Sequence, residues 1–119
     1  MASTTTYDRG QIVVVSVSFS DQSGAKRRPG LVVSTDRFHR NLRDVIIVPV
    51  SSQPRYYRRP GSGDHPLRHW KAVGLRYPST ARISNILAVD KSLIQRVLGV
   101  LPPDDLERVA GGLREALAL

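Results

Sequence analysis

Two short polar stretches of the chain carry the residue types best suited to chemistry on a phosphate. Lys26-Arg27-Arg28-Pro29 precedes one β-branched run, and Val48-Pro49-Val50-Ser51-Ser52-Gln53 ends another. If the two runs form neighbouring strands, Arg28 and Ser51 meet at one edge of the sheet. An arginine beside a hydroxyl, with backbone N–H groups nearby, suits a phosphate in a transition state. Alternatively, Arg28 is an ordinary surface cation and Ser51 caps a turn.

A cluster of arginines and tyrosines lies within residues 51–68, the longest stretch without a helix or strand pattern. Its members are Arg55, Tyr56, Tyr57, Arg58 and Arg59. Guanidinium groups on phosphates and tyrosines stacked on bases are typical of proteins that bind single-stranded RNA. Alternatively, the tyrosines pack this loop on its own domain. Trp70 is expected to anchor the core or a subunit interface rather than to stack on a base.

The positive charge is concentrated around these stretches. The chain has 119 residues, with 18 Lys+Arg against 10 Asp+Glu and a net charge of +8. Residues 26–76 contain twelve of the basic residues and only three of the acids, and fifteen of the eighteen basic residues are arginine. Arginine binds phosphate oxygens bidentately. This placement indicates a polyanionic partner, whereas a basic surface kept for solubility would be scattered.

Several other chemistries are disfavoured by composition. Without cysteine there is no disulfide framework, thiolate zinc site or thiol nucleophile. His65 and His69 are four residues apart, but Pro66 between them disfavours a shared helical face, so we expect no metal site and no cofactor. Residues 1–7 lack a signal-peptide pattern and are expected to be a flexible N-terminus. No apolar run approaches the length of a membrane span, so we expect a cytoplasmic protein.

Short strands and two helices must position these residues. Hydrophobic patterning predicts strands over 11–19, 31–34, 45–50, 71–75, 80–83, 86–90 and 97–101, and a short helix over 37–42. Pro49 predicts an edge, a bulge or a strand end at that point. A C-terminal helix begins at Pro102-Pro103-Asp104-Asp105, and Gly111-Gly112 weakens it. Residues 8–119 are therefore predicted to form one mainly-β (α+β) domain, a small bent sheet or barrel.

In their order along the chain, the motifs resemble the MazF/PemK toxins of type II toxin–antitoxin systems. The resemblance covers residues 8–119. The residues that carry it are Gly10-Gln11-Ile12-Val13, Asp21-Gln22-Ser23-Gly24, Lys26-Arg27-Arg28-Pro29-Gly30-Leu31-Val32-Val33-Ser34, Val48-Pro49-Val50-Ser51-Ser52-Gln53, Trp70, Gly74-Leu75, Pro78-Ser79, Asp90-Lys91-Ser92-Leu93-Ile94 and Leu98-Gly99-Val100-Leu101.

The resemblance implies a fold, an activity and partners. It implies an SH3-like barrel of the CcdB/PemK type that forms a homodimer and cuts single-stranded RNA without a metal. In such enzymes the ribose 2′-hydroxyl attacks the adjacent phosphate, which leaves a 2′,3′-cyclic phosphate and a 5′-hydroxyl. An acidic antitoxin would neutralise the toxin by lying across the RNA groove.

The resemblance also assigns roles to residues. Arg28 matches the arginine that contacts the scissile phosphate and assists proton transfer, and Ser51 matches the threonine that stabilises the pentacovalent transition state. Further RNA-binding residues are expected at Lys26, Arg27, Ser52, Gln53, Arg55, Tyr56, Tyr57, Arg58, Arg59 and Arg82.

The general base stays open at this point. Arginine is always protonated, so Arg28 serves poorly as a base. Asp90 lies near the aspartate of the family's Arg-x-Asp arrangement, but Ala88 stands where the arginine would be. Asp90 is thus either the base or a structural turn carboxylate, and His65 and His69 are further candidates.

Two alternative functions fit the same residues. The first is a nucleic-acid-binding SH3-like module without catalysis, in which Arg28 and Ser51 only contact phosphate. The second is a gyrase poison like CcdB. That group depends on a terminal Trp-Gly-Ile, whereas this chain ends Leu117-Ala118-Leu119, so the second alternative is disfavoured.

Overall fold

The computed structural model describes residues 6–18 and 25–119, which form seven strands and three α-helices. In chain order these are β1 (Gln11–Ser18), β2 (Ala25–Val32), α1 (Asp36–His39), β3 (Asp44–Ser51), α2 (Pro54–Arg58), β4 (Asp64–Pro66), β5 (Thr80–Arg82), β6 (Leu87–Asp90), β7 (Ile94–Val100) and α3 (Pro103–Leu117). The predicted mainly-β domain with an inserted short helix and a C-terminal helix is confirmed. No described helix is long and apolar enough to cross a membrane.

All strand pairs are antiparallel, in the order β4-β5-β3-β2-β1-β7. β3 also pairs with β6 over its first half, where Asp44 lies opposite Asp90, and with β5 at its end, where Ser51 lies opposite Thr80. Pro49 falls between these two partners. Because proline has no N–H to donate, the interruption at this point agrees with the prediction for Pro49.

The strand period of two divides the apolar side chains into two clusters on opposite faces of the sheet. The covered face contains Ile12, Leu31, Val48, Val50 and Leu67 among its buried residues. The open face contains Val13, Val15, Val32, Val45, Ile47 and Val89. Ile47 and Val48 are neighbours in β3 yet belong to different clusters, which is the expected result of alternation.

Helix α3 packs on the covered face through one apolar stripe. Val109 is buried there, and Leu106 and Leu113 are partly buried against the same cluster, whereas Leu117 is exposed. Gly112 allows a close approach, because a Cβ at this position would lie 2.3 Å from Nε2 of His65 and 2.7 Å from Cδ1 of Ile83. Gly112 therefore lowers the intrinsic stability of α3 but lets α3 pack closely against β4.

The start of α3 fixes the turns that precede β5. Asp105 is fully buried, and its carboxylate accepts hydrogen bonds from the backbone N–H groups of Arg68 (3.0 Å) and His69 (2.9 Å). It also pairs with Arg108, which donates to the carbonyl of Pro66 at 3.2 Å. Residues 68–74 form turns, so the strand predicted over 71–75 is wrong. Trp70 packs partly buried on the covered face, as expected for an anchor.

Several element boundaries also differ from the predictions. β2 begins at Ala25, so Lys26 and Arg28 belong to the strand and not to the polar loop before it. The patternless segment 51–68 contains α2 and the short strand β4. Tyr7, expected within a flexible N-terminus, is 8% exposed, and its carbonyl accepts a 2.5 Å hydrogen bond from Nε2 of His39. The motif Asp21-Gln22-Ser23-Gly24 and the predicted strand residue Phe19 lie outside the described residues.

Candidate functional site

A groove of about 570 Å³ lies on the open face of the sheet. Most of its apolar lining comes from alternate positions of β1, β3 and β6, namely Val15, Val17, Ile47, Pro49, Leu87 and Val89. Pro29 and Val50 also line it at the end where Arg28 and Ser51 lie. Its polar lining comes from β2, the end of β3 and the two residues after it, α2, β5 and the turn that follows β5. These residues are Arg28, Ser51, Ser52, Gln53, Tyr56, Arg82 and Asn85. Among the described lining residues there are two arginines and no acid. The groove therefore combines an apolar floor with a cationic rim.

Arg28 and Ser51 are brought together by the strand register. Pairing of β2 with β3 ends at Gly30 and Pro49; Arg28 lies two residues before Gly30 in β2, and Ser51 lies two residues after Pro49 in β3. Both residues line the groove. Arg28 is exposed, and Ser51 is half-buried. The Ser51 Oγ accepts a hydrogen bond from the Gln53 N–H at 3.2 Å, which leaves its own O–H free to rotate towards another acceptor.

Helix α2 places one tyrosine of the Arg/Tyr cluster at the groove. Proline at its first turn suits a helix start, because the missing N–H would be unpaired there. Tyr56 is half-buried and lines the groove, whereas Arg55, Arg58 and Arg59 are exposed. Arg55 donates to the Tyr56 hydroxyl at 2.6 Å. Tyr57 is half-buried and lies outside the groove lining.

Asp64, Arg82 and Tyr56 form a connected group, termed here the Asp64 array. Arg82 Nε donates to Asp64 Oδ1 at 2.9 Å, and the Arg82 Cζ lies 3.6 Å from the centroid of the Tyr56 ring. Burial raises the pKa of Asp64, but the hydrogen bonds from Arg82 and from the Gly61 N–H outweigh it and hold this pKa below its ordinary value. Asp64 is therefore ionised at neutral pH.

Sequence reasoning included Arg82 but missed Asp64. The two residues are 18 positions apart, and only the pairing of β4 with β5 places them opposite each other. β4 has three residues and ends in proline, so it carries no strand signal in the sequence. Only the presence of an acid within a strongly basic segment pointed to Asp64.

Asp90 lies away from the groove. It pairs with Asp44 at the start of β3, and the seven residues to Ser51 span about 23 Å of extended strand. Its carboxylate accepts the Ser92 N–H at 2.9 Å and pairs with Arg43 at 3.4 Å. Hydrogen bonds from Ser92, followed by the charge of Arg43, lower the pKa of Asp90. Within one chain, the structure does not bring Asp90 to Arg28 and Ser51.

The two candidate histidines face α3 and not the groove. His65 packs against Gly112, and burial together with the positive charge of Arg108 lowers its pKa. His69 Nε2 pairs with Asp104 Oδ2 at 3.0 Å. In residues 6–18 and 25–119, no three His, Cys, Asp or Glu side chains come together as metal ligands would.

Solved structures with the same fold extend over nearly the whole chain. A MazE–MazF complex from Deinococcus radiodurans superposes with a TM-score of 0.75 at 24% identity, covering 97% of this chain and 99% of that chain. An endoribonuclease from a mycobacterial species, in complex with its cognate antitoxin, gives 0.73 at 21% identity, covering 95% and 96%. The Mycobacterium tuberculosis toxin MazF-mt6 gives 0.71 at 21% identity, covering 92% and 97%. Among curated protein sequences, none matches this chain.

The sequence itself also matches a family. The model of the PemK-like, MazF-like toxins of type II toxin–antitoxin systems aligns with residues 8–117. This range includes every strand and helix of the domain together with the residues of the groove. The chain therefore belongs to the PemK-like, MazF-like toxin family of type II toxin–antitoxin systems.

Proposed function

We propose that this chain is an endoribonuclease toxin that cuts single-stranded RNA in the groove of the open face. The observation that carries the proposal is the placement of Arg28 and Ser51 on adjacent strands at one end of that groove. An arginine and a hydroxyl beside an apolar floor suit a nucleotide whose phosphate lies at the rim and whose base lies on the floor. Membership of a toxin family supports the same activity.

In the proposed reaction the RNA attacks itself. The 2′-oxygen of one ribose bonds to the adjacent phosphorus, and the bond from phosphorus to the 5′-oxygen of the next nucleotide breaks. The products are a 2′,3′-cyclic phosphate and a 5′-hydroxyl, whose oxygen takes up a proton. Arg28 neutralises the charge that develops on the non-bridging oxygens, and the Ser51 hydroxyl donates to one of them.

The proton of the attacking hydroxyl needs an acceptor. Among the described residues that line the groove, none is a carboxylate or an imidazole. In the proposed reaction this proton therefore passes to solvent, and Arg28 and Ser51 stabilise the developing charge. Asp90, His65 and His69 are left out of the site because they lie on other parts of the chain.

Binding of the RNA strand involves more of the basic surface. We assign phosphate contacts to Lys26, Arg27, Arg55, Arg58 and Arg59, all of which are exposed. Ser52 and Gln53 line the groove beside Ser51, where their polar groups can reach base edges. Tyr57 lies next to Tyr56 on α2, outside the groove lining, and we assign it base stacking, which tolerates many sequences. The Tyr56 ring at the groove already has the Arg82 guanidinium over it, so we assign Tyr56 to holding that arginine.

We further propose the partners and location of this toxin. The cationic groove would accept an acidic segment of a cognate antitoxin in place of RNA, which would keep the toxin inactive. One of the similar solved structures is an endoribonuclease in complex with its cognate antitoxin, and another is a MazE–MazF structure. The chain would act as a homodimer in the cytoplasm, where its RNA substrates are.

Cleavage of a long single-stranded RNA by the pure protein in EDTA tests the proposal. We expect cuts at a short recurring sequence, mapped by primer extension, with 2′,3′-cyclic phosphate and 5′-hydroxyl ends. Arg28→Ala is expected to abolish them. Arg37→Ala is the matched control, because Arg37 is also exposed but lies on α1 outside the groove lining. Binding without cleavage would overturn the proposal in favour of a non-catalytic RNA-binding module.

A further inference from the structure

We propose that Arg82 is a second phosphate-binding residue of the groove and that Asp64 is the positioning residue that holds its guanidinium in place. The phosphate would belong to a nucleotide next to the one at Arg28 and Ser51. The identity of the anion rests on the proposed function, whereas the geometry of the Asp64 array does not.

The sheet order places the two arginines on opposite sides of the same segment of β3. β3 lies between β2 and β5, and Arg28 lies near the C-terminal end of β3 on the β2 side. On the other side Val50 pairs with Ala81, and Arg82 is the next residue of β5. Pro49 and Ser51 both line the groove, as do the two arginines. A strand of RNA that crosses this end of the groove would therefore pass between two guanidinium groups.

Arg82 is held by contacts on two sides. Its Nε–H donates to Asp64, and its guanidinium carbon lies over the Tyr56 ring. The side chain is only 23% exposed, in contrast to Arg43, whose side chain is 90% exposed beside Asp90. Beyond Nε–H, a guanidinium carries four N–H groups that can meet a phosphate bidentately. A cation ordered before binding loses less side-chain entropy when the ligand arrives.

Asp64 is a carboxylate next to a groove that we propose binds RNA, and its negative charge by itself opposes that binding. It is 5% exposed, ionised, and fixed by hydrogen bonds from Arg82 and from the Gly61 N–H at 2.9 Å. As a carboxylate beside the groove it repels RNA. Asp64 can therefore favour RNA binding only through the position in which it holds Arg82. The alternative role is purely structural, in which Asp64 only joins β4 to β5. These two roles predict opposite signs for the effect of its removal on RNA binding.

Binding of a 14-nucleotide RNA pool with every 2′-hydroxyl methylated measures that sign without cleavage. We expect Asp64→Asn to weaken binding by about tenfold, the loss expected for one charged hydrogen bond, although the protein becomes more positive. Glu107→Gln is the control: it makes the same change of charge at an exposed ion pair with Arg114 on α3. Its affinity should stay equal to wild type or rise slightly.

Further variants separate positioning from general damage to the fold. Arg82→Gln should reduce the slope of log affinity against log salt by about 0.7, the value for one lost phosphate contact to a single strand. Tyr56→Leu leaves the ion pair in place and removes the stacked ring, so it should weaken binding in the same direction as Asp64→Asn. On RNA that can be cut, Asp64→Asn should raise KM and leave kcat within about threefold of wild type, because positioning acts on binding.

Each contrary result has a definite meaning. If Asp64→Asn, with an unchanged melting temperature, binds the methylated pool as tightly as wild type, or if Arg82→Gln leaves the salt slope unchanged, this inference is overturned. If Asp64→Asn fails to fold, the Arg82→Gln slope and Tyr56→Leu affinity decide the outcome. If the wild-type protein binds the methylated pool but cuts no RNA, cleavage fails and the positioning of Arg82 stands. If the wild-type protein binds no RNA, both proposals fail.

Discussion

The two faces of the sheet contain similar aliphatic residues but are completed in different ways. On the covered face, Leu67 and Val48 are fully buried beneath α3 and the turns that lead to β5. On the open face, Ile47 and Val89 are buried among their strand neighbours, but the same cluster also lines the groove. The first arrangement removes apolar surface from water permanently, which stabilises the fold. The second also buries most of its aliphatic side chains, but Val17 and Leu87 keep partly exposed apolar surface along the groove.

The charged groups differ between the faces as well. Beneath α3, Asp105 is paired with Arg108 and with two backbone N–H groups, so no buried acid is left without partners there. At the groove, the described lining contains Arg28 and Arg82 and no acid. Under the proposed function, the residues beneath α3 serve stability, whereas the exposed residues along the groove serve binding. Substitutions should therefore affect stability and activity separately.

Two leucines, one on each face, give the largest expected contrast. Leu67→Ala on the covered face should cost about 2–5 kcal/mol of unfolding free energy, because the site is fully buried and leaves a cavity. Leu87→Ala at the groove should cost less than about 1 kcal/mol, since Leu87 is already 36% exposed. Urea unfolding monitored by circular dichroism measures both, and equal losses would contradict the separation of the faces.

Ser51 should show the reverse behaviour. Ser51→Ala is expected to lower kcat by about 100-fold, the effect of one lost donor to transition-state charge, with unfolding free energy unchanged within about 0.5 kcal/mol. Ser51→Thr keeps the hydroxyl and should retain activity. Single-turnover cleavage rates at saturating enzyme measure the effect. A Ser51→Ala rate equal to wild type would remove this hydroxyl from the mechanism.

The glycine pair of α3 tests how tightly the covered face is packed. Gly112→Ala should destabilise the protein by about 1–3 kcal/mol, because the added Cβ would overlap His65 and Ile83. Gly111→Ala meets only the end of Arg114 at 3.9 Å and should stabilise the helix by up to about 1 kcal/mol. Thermal melting of the two variants gives the comparison directly, and stabilisation by both would show that His65 yields easily.

His65 predicts a modest effect of pH on the covered face. Its folded pKa lies below the unfolded value of 6.5, so the fold favours the neutral ring. The stabilisation is complete above pH 6.5 and is lost as the pH falls from there through the folded pKa. We expect the wild-type urea midpoint to fall between pH 7.5 and 5.5, and His65→Gln to fall less. A decrease in His65→Gln as large as that of wild type would contradict this assignment.

The sequence was most informative where a residue lies in or beside a regular strand. The β-branched runs of β2 and β3 indicated that Arg28 and Ser51 would meet if the two strands were neighbours, and in the structure β2 does pair with β3. The Arg/Tyr composition of residues 55–59 made Tyr56 a candidate binding residue, and Tyr56 does line the groove. The strands and the polar residues at their ends could therefore be predicted from the sequence.

Contacts between short or irregular segments could not be predicted. Asp64 reaches Arg82 only because a three-residue strand pairs with another of three residues. Residues 71–75 have a strand-like composition, but the buried carboxylate of Asp105 draws the preceding backbone into turns. In both cases, long-range pairing overrides a weak local pattern, and a single sequence does not contain that information.

The hydrogen bonds that Asp105 accepts determine which positions of this chain can vary. Arg68 and His69 contribute only their main-chain N–H groups to the Asp105 carboxylate, so almost any side chain at positions 68 and 69 leaves these hydrogen bonds intact. Asp105 itself cannot vary in this way. A longer side chain would not place its carboxylate at the same N–H groups, and a neutral side chain would lack the charge. The side chains of this surface turn can therefore change to suit a partner, while one buried residue of α3 holds the turn in place.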